Sequence, residues 1–259
     1  ICLPQAAELN AALLRFETGD EASLLLRKAR LRDPGRALTD SARPGVRKAL
    51  VLSRVTLGAD VAITSVILRK LRLTFPNAEL CLIGPPKAVE LFGGDPTLRF
   101  LPINYRTQGS LIERLMNWTT VVEIVDRELN GLKPEEYVIV DPDSRLLQLG
   151  MLPVVKGDKR YFFFESRRWV GEFEDPIGVV TAKWLGQTFG TIMPLLPEVW
   201  LRPADHSLGA ELLSALRAGG ADAALRRPIV AISFGNGNNP AKRAPDSFEA
   251  GLLLRLLAE

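Results

Sequence analysis

The sequence predicts an α/β protein built on a mainly parallel sheet, and three observations carry that prediction. Its candidate strands are unbroken apolar runs: ALVLS (49–53), ELCLIG (79–84), YVIVD (137–141) and YFFF (161–164). Such runs fit strands covered by helices on both faces. From Lys48 onward they alternate with helix-length segments, the order of a βαβ chain. Finally, residues 49–76 join a strand to a helix through Gly58-Ala59-Asp60 and stop at Pro76. A turn of this kind brings a carboxylate and free backbone N–H groups to the C-terminal edge of the sheet, where open α/β sheets bind ligands.

Taken in order, residues 5–32 hold two helical patterns, AAELNAALLRF and EASLLLRKARLR, broken at Thr18-Gly19-Asp20. A Pro/Gly-bearing polar linker, 32–45, follows. Residues 1–46 therefore read as an N-terminal helical extension whose basic end (Arg27, Lys28, Arg30, Arg32) is a solvated helix face or, alternatively, a contact for phosphate or lipid headgroups. Strands are expected at 49–54, 79–84, 98–102, 136–141 and 161–164, with helices at 60–74, 86–92, 109–129 and 176–190; together they make a Rossmann-like domain over 47–200. The Pro-rich stretch 192–203 reads as an interdomain linker. Residues 201–259 read as a linker helix (206–218), a strand (228–233), a Gly/Asn loop and a helix from Asp246, the opening of a second α/β domain. The chain begins at Ile1 and ends in LLLRLLAE, so both ends read as cut, and this stretch alone is expected to turn over no substrate.

The totals narrow the function. A chain of 259 residues, 47% hydrophobic and 24% charged, with a formal charge of +3, is an ordinary globular composition. That charge is too small to argue for nucleic acid. Cys2 and Cys81 show no metal-ligand or redox spacing, which fits a reducing cytoplasm and excludes a disulfide scaffold. No apolar run approaches the roughly 18 residues of a membrane helix. The single histidine, His206, precedes a helix in a Pro-flanked loop and reads as a capping or surface residue, which argues against a Ser-His-Asp or His-metal enzyme. The phosphate fingerprints of dinucleotide and P-loop proteins are absent, so a Rossmann oxidoreductase has no sequence support. The aromatic run 161–164, Trp169 and Trp184 read as packing residues.

Two loops carry the chemistry. In the first, Asp60 is either a helix N-cap, a position Asp favours, or a general base at the sheet edge. The second, SFGNGNNPAKR (233–243), occupies the matching point of the later strand–loop–helix unit. Its Ser233, Gly235, Asn236, Lys242 and Arg243 bring N–H donors and positive charge to a helix start; the plain alternative for Lys242 and Arg243 is an exposed basic pair.

The string LSRVTLGADVAITSVILRKLRLTFPNAELCLIG resembles the N-terminal motif of the heptosyltransferase-like glycosyltransferases of family 9, with Arg54, Gly58, Asp60, Val61, Thr64, Phe75 and Pro76 in the family's places. Ala59, between the Gly and the Asp, departs from the pattern. The resemblance continues through KAVELFGGDP (87–96), YVIVDPDSRLLQLG (137–150) and residues 229–257, where Pro240, Lys242, Arg243, Pro245 and Phe248 match. It implies a two-domain GT-B fold and an inverting, metal-independent transfer of a sugar such as a heptose. The donor would be a nucleotide-sugar and the acceptor a glycan or lipopolysaccharide-type glycolipid. It further implies Asp60 as the catalytic carboxylate, Lys242 as the diphosphate ligand with Ser233, Gly235, Asn236 and Arg243 beside it, no cofactor, and a cytoplasmic enzyme, either free or in peripheral contact with the inner membrane. Arg54, Thr56, Gly58, Asp141, Asp143 and Arg145 would then line the acceptor side. Two rival readings stand beside it: a DxD metal site at Asp141-Pro142-Asp143, and a non-catalytic sugar- or nucleotide-binding α/β module.

Overall fold

A computed structural model of the chain describes residues 6–33, 35–105, 111–166, 175–191, 194–218, 229–234 and 243–258. In chain order the elements are α1 (Ala7–Arg15), α2 (Glu21–Leu31), β1 (Lys48–Leu52), α3, β2 (Glu79–Gly84), α4 (Ala88–Phe92), β3 (Leu98–Pro102), α5 (Leu111–Leu129), β4 (Tyr137–Asp141), β5 (Tyr161–Phe163), α6 (Ile177–Phe189), α7 (Pro203–Ala218) and α8 (Asp246–Ala258). Helix α3 is a composite of an α-turn (Leu57–Ala59), a π-turn (Asp60–Thr64) and an α-helical stretch (Ser65–Thr74).

The five strands form one sheet in the order β3-β2-β1-β4-β5, every neighbouring pair parallel. The fold is thus α/β and Rossmann-like in general. Because successive strand residues face opposite sides, the apolar runs feed two cores. Leu50, Leu52, Cys81, Ile83, Ile139 and Tyr161 join α1, α2 and α5 on one face. Val51, Leu80, Leu82, Val138, Val140 and Phe162 join α3 and α6 on the other. The strand order changes direction between β1 and β4, the switch point at which such sheets open a crevice beyond the strand C-termini. From β4 to β5 the chain crosses over without an α-helix, using the 3-10 turn Arg145–Leu147 and a loop.

The N-terminal helices are part of this domain. Leu9, Leu13, Leu24 and Leu31 are buried in the first core, and Phe16 meets Trp118 of α5 at 6.2 Å. The basic end of α2 is solvated only in part: Arg30 and Arg32 are exposed, Arg30 pairing with Asp158. Arg27 is 2% exposed and pairs with Asp158, while Arg32 and Lys28 pair with Glu165. Arg36 donates to the carbonyls of Asp158 and Tyr161, satisfying polar groups beside the edge strand β5.

The expected linker at 192–203 is also docked where it is described. Trp200 packs on Phe92 at 5.3 Å, its N–H donates to the Leu91 carbonyl (2.8 Å), and its carbonyl accepts from Gly94 N–H (2.7 Å). Leu195 is buried, and Glu198 N–H donates to Ser65 Oγ at 3.1 Å.

By contact density the chain divides into Ile1–Ser207 and Leu208–Glu259. In the second unit, the expected strand at 228–233 does not form over its described residues. Residues 229–233 join no sheet, and Ile229, Val230 and Ile232 are exposed. A strand needs a ladder partner for its backbone groups, and none is present among the described residues. Within this unit Leu212, Leu216, Phe248 and Leu254 are also exposed. Among the described residues no helix is long and apolar enough to cross a membrane.

Candidate functional site

The C-terminal ends of β1 and β4 meet at the switch point, and the loops leaving them hold most of the residues the sequence singles out. The β1 loop is organised by Asp60. One carboxylate oxygen accepts from Arg54 N–H (2.8 Å) and the Thr64 hydroxyl (2.7 Å), and the other from the Ser53 hydroxyl (2.7 Å). Asp60 is not the N-cap of α3. It is already helical (φ −66°, ψ −41°), and Thr56, with extended backbone, holds the cap position. Helix α3 therefore begins three residues earlier than expected, and Asp60 turns its carboxylate back onto the strand end. The side chain lies inside, 2% exposed. Burial pushes its pKa up, against the opposing pull of Thr64, Ser53 and Arg54.

Ser53 Oγ also accepts from Val55 N–H at 2.8 Å, holding Val55 at φ +69°. That is a left-handed conformation costly for a β-branched residue. Beyond it Thr56, Leu57 and Gly58 are exposed. Their place at the start of α3 leaves backbone N–H groups without intrahelical partners.

The β4 loop is tied to the same point. Asp141, fully buried, accepts from Ser144 N–H (2.6 Å) on one oxygen and from the Tyr161 hydroxyl (2.5 Å) on the other. Desolvation pushes its pKa up to about 6. Asp143, at φ +66°, receives Arg54 Nη1 at 3.0 Å, and the same nitrogen donates to the Pro142 carbonyl (2.7 Å) and Ser166 Oγ (2.9 Å). Arg145 is exposed on the rim.

The fold thus brings Arg54, Asp60, Asp141 and Asp143 together, with Thr56, Gly58 and Arg145 at the surface around them. The carboxylates of Asp141 and Asp143 are engaged by protein donors, which disfavours a DxD metal site. On the donor loop, Gly235, Asn236 and Lys242 lie outside the described residues. Ser233 is exposed, and Arg243 pairs with Asp246 (2.8 Å) and Glu249 (3.8 Å) at the start of α8.

Sequence reasoning passes over Ser53 and Ser166, places Thr64 only as a motif position, puts Ser144 on the acceptor side and reads Tyr161 as packing; all five build the site's hydrogen bonds. Two signals point to them. Ser or Thr at a strand end favours local bonds to loop backbone, and a tyrosine in a buried strand needs a partner for its hydroxyl.

At the opposite edge of the sheet, Glu79, Cys81 and Glu128 approach within metal-ligand spacing. Lys48 and Arg99 occupy both carboxylates at 2.9 Å, and burial pushes the Cys81 thiol up to about 12. That group is an ion-pair network.

No protein-family model, curated protein or solved structure matches the chain.

Proposed function

We propose that the chain carries the acceptor-side domain of an inverting, metal-independent GT-B glycosyltransferase, which moves a sugar from a nucleotide-sugar to a glycan or glycolipid acceptor. The observation that carries this reading is the gathering of Arg54, Asp60, Asp141 and Asp143 at the switch point, beside the exposed start of α3. An acceptor hydroxyl attacking an anomeric carbon must lose its proton, and a carboxylate whose pKa is raised by burial is the better base for it. Asp60 is that carboxylate. To act, it exchanges one of its hydrogen bonds, from Thr64 or Ser53, for the acceptor hydroxyl. The leaving diphosphate requires positive charge, for which Lys242 is the residue proposed.

One observation favours a second reading, a sugar- or nucleotide-binding module without turnover: three donors already occupy the buried Asp60 carboxylate. Incubation of the full-length protein with ADP-, GDP- and UDP-sugars separates the two. Release of the nucleoside diphosphate with transfer or hydrolysis of the sugar supports the transferase. Saturable binding without release supports the module, and neither binding nor release removes both.

A further inference from the structure

A continuous line of buried contacts runs from the N-terminal helices to the sheet edge. Arg27 sits on the inner face of α2 with Leu24 and Leu31. Its guanidinium lies 4.8 Å from the centre of the Tyr161 ring, while Nε donates to Asp158 (3.0 Å) and Nη1 to the Gly150 carbonyl (2.8 Å). The Tyr161 hydroxyl donates to Asp141, which also receives Ser144 N–H. The Ser144 hydroxyl donates to the Ser53 carbonyl at 2.6 Å, and the Ser53 hydroxyl donates to Asp60. Each link joins a different segment: α2, β5, the β4 turn, the β1 loop and α3.

A leucine at position 27 would complete the apolar face of α2 without the cost of desolvating a cation. What arginine adds is directional. It fixes the Tyr161 ring from one side and the Gly150 end of the β4–β5 crossover from the other, and its charge favours the ionised form of Asp141.

We propose that Arg27 is a positioning residue for the sheet-edge site, acting through Tyr161 and Asp141 on the turn after β4 and, through Ser144, on the loop after β1. The inference rests on reading that edge as the site, and not on which reaction occurs there. The N-terminal helices are then part of the site's support.

The test is a carboxyl-carbon NMR titration of Asp141, assigned with Asp141→Asn, together with amide spectra of the same proteins. Tyr161, Asp143 and Arg27 are the charged or titratable groups acting on Asp141. Arg27→Met is expected to move the Asp141 midpoint upward and to shift the amides of Ser144, Arg54 and Val55. Arg27→Lys should bring the midpoint most of the way back. Tyr161→Phe keeps the ring beneath Arg27 and removes only the hydroxyl. It should shift the same amides, which tests the Tyr161–Asp141 link alone; if Arg27→Met does not fold, Arg27→Gln takes its place in the titration. An Asp141 midpoint and Arg54 and Val55 amides unmoved in the folded variants would overturn the proposal and leave Arg27 a packing residue. Turnover is not the readout, so a protein without transferase activity would sink the functional reading while leaving this one open to decision.

Discussion

The Ser144 hydroxyl donates to the Ser53 carbonyl at 2.6 Å, so the turns leaving two adjacent parallel strands are tied to each other. Both residues are fully buried, and Ser144 Oγ also accepts from Leu146 N–H at 3.2 Å. Ser144→Ala strands a buried carbonyl and a buried N–H. An unsatisfied buried group costs about 1–3 kcal/mol, and the variant should lose stability on that scale in urea unfolding, with an unchanged denaturant slope. A loss near zero would mean that water or a shifted turn replaces the hydroxyl.

Asp141 makes stability depend on pH in a definite direction. Its pKa stands at about 6 in the fold against an ordinary 3.8, so the folded state holds a proton that the unfolded chain releases. The stabilisation this gives is complete below about pH 4 and is lost as pH rises through about 6, a swing of about 3 kcal/mol. Asp141→Asn removes the titration. Relative to wild type, the variant should therefore gain unfolding free energy between pH 4 and pH 7. Parallel pH profiles for the two proteins would refute the assignment.

The sheet was legible in the sequence because ALVLS, ELCLIG and YVIVD are continuous apolar runs, and the structure places their strands within a residue or two of the expected bounds. The stop of α3 before Pro76 was equally plain. Its start was not, because Asp60 has the identity of a cap and the partners of a loop clasp; Ser53 and Arg54 lie across the turn from it. The docking of α1 and α2 was hidden for a related reason. Leu24, Arg27 and Leu31 share one helix face, but Tyr161 and Asp158, against which Arg27 sits, lie far along the chain. Residues 194–202 show the same limit: prolines announce an irregular segment, and it takes distant partners such as Phe92, Leu91, Gly94 and Ser65 to show that it is fastened down.

Gly94 tests that fastening. A Cβ there would run into the Leu201 carbonyl, and backbone cannot move aside as a flexible side chain does. Gly94→Ala should push the 194–202 segment away from α4, at about 1–3 kcal/mol, and open it to limited proteolysis. Cleavage no faster than in wild type would show that the segment holds by other contacts, such as Arg72 over Trp200 at 5.7 Å.

The partners of the two aspartates after β4 predict that the proposed transfer needs no metal at this turn. A divalent cation would have to displace Tyr161 and Ser144 from Asp141, and Arg54 from Asp143. Mg²⁺ or Mn²⁺ should therefore leave the thermal midpoint unchanged, and EDTA should leave any nucleotide-sugar turnover intact. Turnover abolished by EDTA and restored by Mn²⁺ would return the Asp141-Pro142-Asp143 turn to the role of metal site.

Asp60 decides between base and clasp. Asparagine keeps a carbonyl oxygen for Arg54 N–H and the Thr64 hydroxyl, and turns an amide toward Ser53 Oγ, which must then stop donating. One charge-assisted bond is lost, and the cost of burying a charge is lost with it, since burial already resists ionisation at this position. The net change in stability for Asp60→Asn should stay within about 1 kcal/mol. Alanine removes every acceptor. Arg54 N–H and two hydroxyls are then left unpaired, and Asp60→Ala should cost on the order of 3 kcal/mol, with the β1 loop released. If Asp60 is the base, Asp60→Asn in the full-length protein keeps its unfolding midpoint while turnover falls by roughly 10²–10⁴-fold. If Asp60 only clasps the loop, the same variant turns over within a few-fold of wild type, and Asp60→Ala loses rate and stability together. The separation works because asparagine preserves most of the clasp and none of the basicity.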